Sequence, residues 1–144
     1  MAVCTFFGHS DCYELNPATL RQAIEELIDS GVDTFYVGHQ GHFDTMVLGC
    51  LKELQKSHPH LRFSVVLATL PKMGYNAYEG RTLYPEEVAS GPPRFAIDRR
   101  NRWMLAQADC CLCYVNYPWG GAYKFARAAK RRGLPVINLG TVKL

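Results

Sequence analysis

Short apolar segments alternate with helical patterns along almost the whole of this 144-residue chain. This alternation restricts the possible folds more than any other feature of the sequence. Five strands are predicted, at residues 3–7, 33–38, 62–67, 110–115 and 134–139. Their apolar residues do not alternate with polar ones, which is typical of strands covered on both faces. Because crossover connections are right-handed, we expect one α/β domain (1–144) with a Rossmann-like, doubly wound, mainly parallel five-stranded sheet and helices on both faces.

Helical spacing and capping residues predict the connecting helices. The first follows Asn16, an N-cap residue placed before a proline, and spans residues 17–30. Asp44 is the expected N-cap of a helix that ends near residue 57, and further helices are predicted at 94–107 and 122–132. Residues 68–93 are rich in proline and glycine, so we expect a long irregular loop with one helical turn near Glu86.

A glycine pair lies between the strand at 110–115 and the helix at 122–132. Gly120 and Gly121 allow a ligand to approach the backbone closely, and free N–H groups and the positive end of the helix dipole attract anions there. We therefore predict that the N–H groups of Gly120, Gly121 and Ala122 bind a phosphate. The alternative is that the two glycines only form a tight turn.

Three loops with short polar side chains and glycine follow strands of the predicted sheet. In an open α/β sheet, ligands bind at the carboxyl ends of the strands where the strand order reverses. Arg100 lies on the helix predicted at 94–107 and is the best placed of three neighbouring arginines to contact a phosphate or carboxylate. Trp119 is suited to stacking on a base or to sealing a dimer contact. The predicted ligand contacts are Gly8, His9, Ser10, Gly38, Gln40, Gly41, Asp44, Arg100, Asn116, Trp119, Gly120, Gly121 and Ala122.

Charge and composition exclude some classes of protein. The net charge of +3 is too small to indicate a nucleic-acid-binding protein, and no apolar segment is long enough to span a membrane. The N-terminal segment lacks the features of a signal peptide, so we expect a cytoplasmic protein whose six cysteines are reduced thiols. Dinucleotide-binding, P-loop and nucleophile-elbow motifs are not found, which argues against ordinary NAD-dependent, Walker-type and α/β-hydrolase chemistry.

Several segments together resemble the SLOG superfamily. Arg100-Asn-Arg-Trp-Met104, then Asp109, an apolar strand and Gly120-Gly121 before a helix are similar to the LOG pattern R-K-x-x-M, S-D and P-G-G-x-G-T-x-x-E. The segments FFGHSDC, GHQGHFD and GGAYKFARAAKRRGLPVINLG are more similar to the small YpsA-like branch of that superfamily. The resemblance covers nearly the whole chain. It implies a Rossmann-like fold, a nucleotide or ADP-ribose-like ligand and a homodimer.

LOG enzymes hydrolyse the N-glycosidic bond of nucleoside monophosphates, but this chain differs from them at the catalytic position. Ala126 and Arg127 stand where the resemblance would place the catalytic glutamate. Without that carboxylate, water activation has no obvious agent, although Asp44 or Glu79 is an available substitute. We therefore expect binding of a nucleotide, with LOG-like hydrolysis as an alternative function.

Two further alternatives remain open. Loop residues able to bind a transition metal come from two neighbouring strands, although no known metal motif matches their spacing. They are His9, Asp11, Cys12, His39, His42 and Asp44. The other alternative is a non-catalytic sensor, in which ligand binding orders the 68–93 loop and changes the binding of a partner.

Overall fold

Six parallel strands form one sheet in the computed structural model, which describes residues 1–70 and 81–144. The strands are β1 (Val3–Gly8), β2 (Thr34–Val37), β3 (Arg62–Val66), β4 (Thr82–Leu83), β5 (Cys110–Tyr114) and β6 (Val136–Asn138). Their order in the sheet is β4-β3-β2-β1-β5-β6, and every neighbouring pair is parallel. The predicted α/β, Rossmann-like, doubly wound architecture is therefore confirmed.

Helices cover both faces of this sheet. They are α1 (Pro17–Asp29), α2 (Gly41–Ser57), α3 (Glu86–Ala89), α4 (Ala96–Gln107) and α5 (Gly120–Arg131). A core on one face joins α1 and α2 to the side chains of Phe6 and Phe35. A second core joins α4 and α5 to Phe7 and Cys113, which point to the opposite face. The alternation of side chains along β1 thus supplies both cores.

The sheet has one strand more than the sequence predicts. Thr82 and Leu83 pair with Val65 and Val66 at the end of β3, within the segment predicted to be irregular. Two residues are too few to give a recognisable strand pattern, and the pairing depends on the tertiary fold. The helical turn expected near Glu86 is present as α3. The helix predicted from about residue 94 to residue 107 is present as α4, which begins at Ala96 after a 3₁₀ turn at Pro93–Phe95 and ends at Gln107.

Two other predicted helix starts are wrong. Asn16 caps α1 as expected, with its side chain accepting a hydrogen bond from the Ala18 N–H at 2.9 Å. Helix α2, however, begins at Gly41, so Asp44 lies in its first turn rather than at its N-cap. Helix α5 begins at Gly120 rather than at Ala122. In both cases the glycine adopts a positive φ that starts the helix earlier than the polar or apolar pattern indicates.

The strand order reverses between β1 and β5. From β1 the chain proceeds outward to β2 and β3, and it returns to the other side of β1 as β5. The loops at the carboxyl ends of these two strands therefore diverge and leave a crevice, as expected at a switch point.

The end of β5 is fixed by the side chain of Asn138. Its Oδ1 accepts hydrogen bonds from the Val115 and Gly140 N–H groups, both at 2.9 Å. Its Nδ2 donates to the Val115 and Val142 carbonyl oxygens at 3.1 and 2.7 Å. One amide side chain therefore holds the backbone on both sides of the point where β5 ends.

None of the helices in the described part of the chain is both long and apolar enough to cross a membrane.

Candidate functional site

A cavity of about 390 Å³ opens at the carboxyl ends of β1, β2 and β5. Most of the residues predicted from the sequence line it: Gly8, His9, Ser10, Gly38, Gln40, Asp44, Arg100, Trp119, Gly120, Gly121 and Ala122. Gly41 and Asn116 do not line it. The Asn116 side chain is instead occupied by hydrogen bonds to Tyr114 Oη, at 2.8 Å, and to the Thr141 N–H, at 3.0 Å.

The N-terminus of α5 forms one wall of this cavity. Trp119 occupies the N-cap position without a side-chain capping bond, and the first turn contains no acidic residue. A Cβ atom added at Gly120 or Gly121 would meet no atom within 4 Å. The first N–H groups of a helix have no partner within that helix. This wall therefore presents hydrogen-bond donors and the positive end of the helix dipole to the cavity.

Three stacked rings form a second wall. The rings of His9 and Tyr117 stack with centroids 3.7 Å apart, and Tyr117 in turn stacks on Trp119 at 4.5 Å. Trp119 is 64% exposed, whereas His9 is buried. Because both faces of Tyr117 are covered, the face of Trp119 turned away from Tyr117 is the one available to a planar ligand.

His9 is held as a neutral ring. Its Nε2 accepts a hydrogen bond from the Asn116 N–H at 2.9 Å, and burial lowers the pKa of His9. A neutral imidazole that accepts at Nε2 carries its proton on Nδ1. No residue in the described part of the chain accepts from Nδ1, so His9 retains one N–H donor beside the cavity.

Arg100 is buried beneath the end of β2. Only 2% of it is exposed, and its Nε donates to Asn101 Oδ1 at 2.8 Å while Nη1 donates to the Val66 carbonyl at 3.3 Å. A Cβ atom at Gly38 would lie 2.6 Å from Nη1. Gly38 is therefore required by the packing of Arg100.

Asp44 lies beside Arg100 at the N-terminus of α2. It is 8% exposed, and its Oδ2 accepts a hydrogen bond from the Gln40 N–H at 2.8 Å. Burial raises the pKa of Asp44 to about 6, although the Gln40 N–H and the Arg100 charge both favour the ionised form. Burial also lowers the pKa of Arg100, an effect that Asp44 opposes. The cavity thus contains a carboxyl group that titrates close to neutral pH.

The other two glycines of these loops are fixed by contacts within the protein. A Cβ atom at Gly8 would collide with the ring of Phe43. Gly41 has a φ of +81°, and a Cβ there would lie 2.6 Å from Ser10 Cα. The Ser10 carbonyl accepts a hydrogen bond from the His42 N–H at 2.9 Å. The loops after β1 and β2 are therefore packed directly against each other.

The metal-ligand candidates do not converge. The part of the chain that the structure describes contains no group of three or more His, Cys, Asp or Glu side chains able to hold a metal ion. Nε2 of His39 accepts from the Ala68 N–H at 3.0 Å, and burial together with the Arg100 charge lowers the pKa of His39 to about 4. His42 stacks on Tyr13 at 4.6 Å, and its Nδ1 lies 3.4 Å from Cys12 Sγ.

The neighbours of Arg100 serve other purposes. Arg99 donates to the carbonyl oxygens of Val88 and Pro92 at 2.9 and 2.7 Å, and Arg102 pairs with Asp98 at 2.9 Å. Glu79, named as a substitute catalytic carboxylate, lies outside the described residues.

Several residues that line the cavity were not predicted as ligand contacts, namely Phe6, Phe7, Asp11, Ile97, Asn101, Met104 and Tyr117. Tyr117 had a usable signal, because it precedes Trp119 by two residues and extended backbone places such side chains on the same side. Asn101 and Ile97 had none, since their exposure to the cavity depends on how α4 crosses the sheet.

No family model matches the chain, and no curated protein is similar enough to count as a relative.

Proposed function

We propose that this protein binds a nucleotide or a nucleotide-derived, ADP-ribose-like ligand in the cavity at the switch point. The observation that carries the proposal is that a helix N-terminus and an exposed aromatic ring adjoin each other in the cavity. The uncapped N-terminus of α5 directly follows the exposed ring of Trp119. A phosphate and an aromatic base are the two groups that these features bind.

We assign the phosphate to the N-terminus of α5 because the first turn of that helix has no competing anion. Its first turn carries no acidic residue, and the open space before Gly120 and Gly121 allows close approach to the N–H groups. The Nδ1–H of His9 provides a further donor beside the same cavity. Arg100 adds positive charge from below, although its hydrogen bonds to Asn101 and Val66 limit its reach.

We assign the base to the exposed face of Trp119. Base–aromatic stacking contributes about 1–3 kcal/mol, and the stack with Tyr117 and His9 holds the indole in position. The cavity of about 390 Å³ is within the usual range of small-ligand sites. The resemblance to SLOG proteins, which rests on sequence motifs, favours the same class of ligand.

Hydrolysis of the N-glycosidic bond is a second candidate function, favoured by the carboxyl group of Asp44. Ala126 is buried in the core and Arg127 donates to the Leu144 carbonyl, so neither position offers a catalytic group to the cavity. Asp44 lines the cavity and, with a pKa raised to about 6, is suited to accept and return a proton. Release of free adenine from AMP on incubation with the protein, and its loss in Asp44→Asn, is the expected result.

Calorimetric titration with AMP, ADP-ribose and adenosine tests the binding function. We expect the two phosphorylated compounds to bind and adenosine to bind at least tenfold more weakly. Gly121→Asp should abolish binding, because its carboxylate occupies the phosphate position and repels the ligand. The protein should still fold, since a side chain at this position meets no atom within 4 Å.

Gly49→Asp is the matched control. Gly49 lies on α2 with open space around it, so the substitution adds the same side chain and charge away from the cavity. This variant should bind AMP as the unmodified protein does. Unchanged affinity in Gly121→Asp, or equal affinity for adenosine and AMP, would rule out phosphate binding at α5.

A further inference from the structure

The second oxygen of Asp44 is the least explained polar atom of the cavity. Oδ2 is held by the Gln40 N–H, but Oδ1 accepts no hydrogen bond from any described residue. Asp44 is 8% exposed and lines the cavity. Among the described residues, every fully buried side-chain oxygen or nitrogen has a hydrogen-bond partner. Because Oδ1 has none, it is not fully buried and must face the open space of the cavity.

We propose that Asp44 binds the sugar hydroxyl groups of the ligand and makes the cavity selective for ribosyl over deoxyribosyl phosphates. This inference rests on the proposed nucleotide-binding function. It adds the orientation of the ligand, with the phosphate at α5 and the sugar hydroxyls toward α2.

The charges around Asp44 support this orientation. A phosphate next to an ionised carboxylate is repelled, whereas a hydroxyl group donates a hydrogen bond to it. The titratable groups that interact electrostatically with Asp44 are Arg100 from α4 and Cys12 from the loop after β1, and the Asp44 charge is, after burial, among the causes that raise the pKa of the Cys12 thiol. His39, in the loop after β2, adds no positive charge, because burial and Arg100 lower its pKa to about 4. With its pKa raised only to about 6, Asp44 is ionised at pH 7.5, and Arg100 offsets part of its charge. The α2 end of the cavity therefore attracts hydroxyl donors more than anions.

The order of the strands gives the distance to be spanned. Asp44 follows β2 and the glycine pair follows β5, and β1 lies between these two strands. Neighbouring strands are separated by about 4.8 Å, so the two loops lie about 10 Å apart. A sugar phosphate can extend across this gap, with donors for Asp44 at one end and an anion for α5 at the other.

The test compares AMP with 2′-deoxy-AMP and 3′-deoxy-AMP by calorimetry at pH 7.5. We expect at least one deoxy compound to bind about tenfold or more weakly, because it leaves a buried carboxylate oxygen unpaired. Asp44→Asn should bind AMP more weakly and should no longer distinguish it from the deoxy compounds. The asparagine still accepts from the Gln40 N–H through its carbonyl oxygen, so the fold should persist.

Asp29→Asn is the control, since Asp29 is exposed on α1, does not line the cavity and undergoes the same chemical change. This variant should keep the preference for AMP. Equal affinity of the unmodified protein for AMP and both deoxy compounds would overturn the role of Asp44 while leaving nucleotide binding intact. The role of Asp44 would also be overturned if Asp44→Asn preferred AMP over the deoxy compounds as strongly as the unmodified protein does. Failure of all three compounds to bind would overturn the proposed function as well.

Discussion

The two helices that begin at the cavity, α2 and α5, start in the same way and differ in what faces their first turns. Each begins at a glycine with positive φ, +81° at Gly41 and +90° at Gly120, and neither has a side-chain N-cap. At α2 the surrounding glycines are packed against Phe43, Arg100 and Ser10. At α5 a side chain at Gly120 or Gly121 would meet nothing within 4 Å.

The difference extends to charge. The first turn of α2 contains Asp44, whose carboxylate accepts a hydrogen bond from the Gln40 N–H. The first turn of α5 contains no acidic residue. The chain therefore supplies an anion to one helix N-terminus and leaves the other exposed. Of two similar helix starts, the exposed one is the better candidate for an external phosphate.

The largest expected effect comes from adding a methyl group at the packed helix start. Gly41→Ala places a Cβ atom 2.6 Å from Ser10 Cα at a φ of +81°, so both steric overlap and backbone strain oppose it. We expect a loss of about 3 kcal/mol in the free energy of unfolding, measured by urea denaturation. Gly121→Ala should change it by less than about 1 kcal/mol. Similar losses in both variants would contradict the contrast between the two helix starts.

The next effect is the pH dependence that Asp44 gives to stability. Its pKa is raised from about 4 in the unfolded chain to about 6 in the folded protein, so the stability it contributes at low pH is lost as pH rises between these values. At pH 7.5 the ionised Asp44 lowers the free energy of unfolding by about 3 kcal/mol, and Asp44→Asn removes this loss. When urea denaturation at pH 4 is compared with that at pH 7.5, the free energy of unfolding of the variant should rise by this amount relative to that of the unmodified protein. A constant difference would show that Asp44 titrates normally.

A smaller effect separates the two glycines of α5. Gly120→Ala meets no atom within 4 Å but must adopt a φ of +90°, which costs about 1–2 kcal/mol. Gly121→Ala carries no such strain. Thermal denaturation should therefore rank Gly120→Ala below Gly121→Ala. The reverse order would show that α5 does not begin at Gly120.

The smallest expected change in stability is that of Trp119→Ala. Because Trp119 is 64% exposed, its loss should cost less than about 1 kcal/mol in urea denaturation. The same variant should bind AMP about tenfold or more weakly, because the stacking surface is removed. Trp119→Phe keeps an aromatic ring and should retain much of the affinity. Loss of stability without loss of affinity would show that the indole serves the fold alone.

The sequence allowed the architecture and much of the cavity wall to be predicted, because both follow from local patterns. Apolar strands and capped helices fix the α/β class, and glycine-containing loops at strand ends identify Gly38 and Gly120 without knowledge of the packing. The missed β4 is a two-residue pairing that depends on β3. The misplaced N-cap at Asp44 reflects a backbone turn at Gly41 that no side-chain pattern reports.

The role of individual glycines was harder to foresee. Gly8 and Gly38 were predicted to contact a ligand, and the structure shows that the space beside their Cα atoms is occupied by Phe43 and Arg100. Both residues still line the cavity. Only the packing of distant segments reveals whether a glycine makes room for a ligand or for another part of the protein.

The bracing of β5 by Asn138 bears on the thermodynamics of binding. Four hydrogen bonds from one amide hold Val115 and the segment from Gly140 to Val142, and the backbone leaves the sheet from this fixed point toward α5. If a phosphate binds at α5 as proposed, we expect it to meet N–H groups that are already aligned and need little ordering. Association with such a preorganised site loses little conformational entropy. Because binding then requires little structural change, we expect a fast association rate.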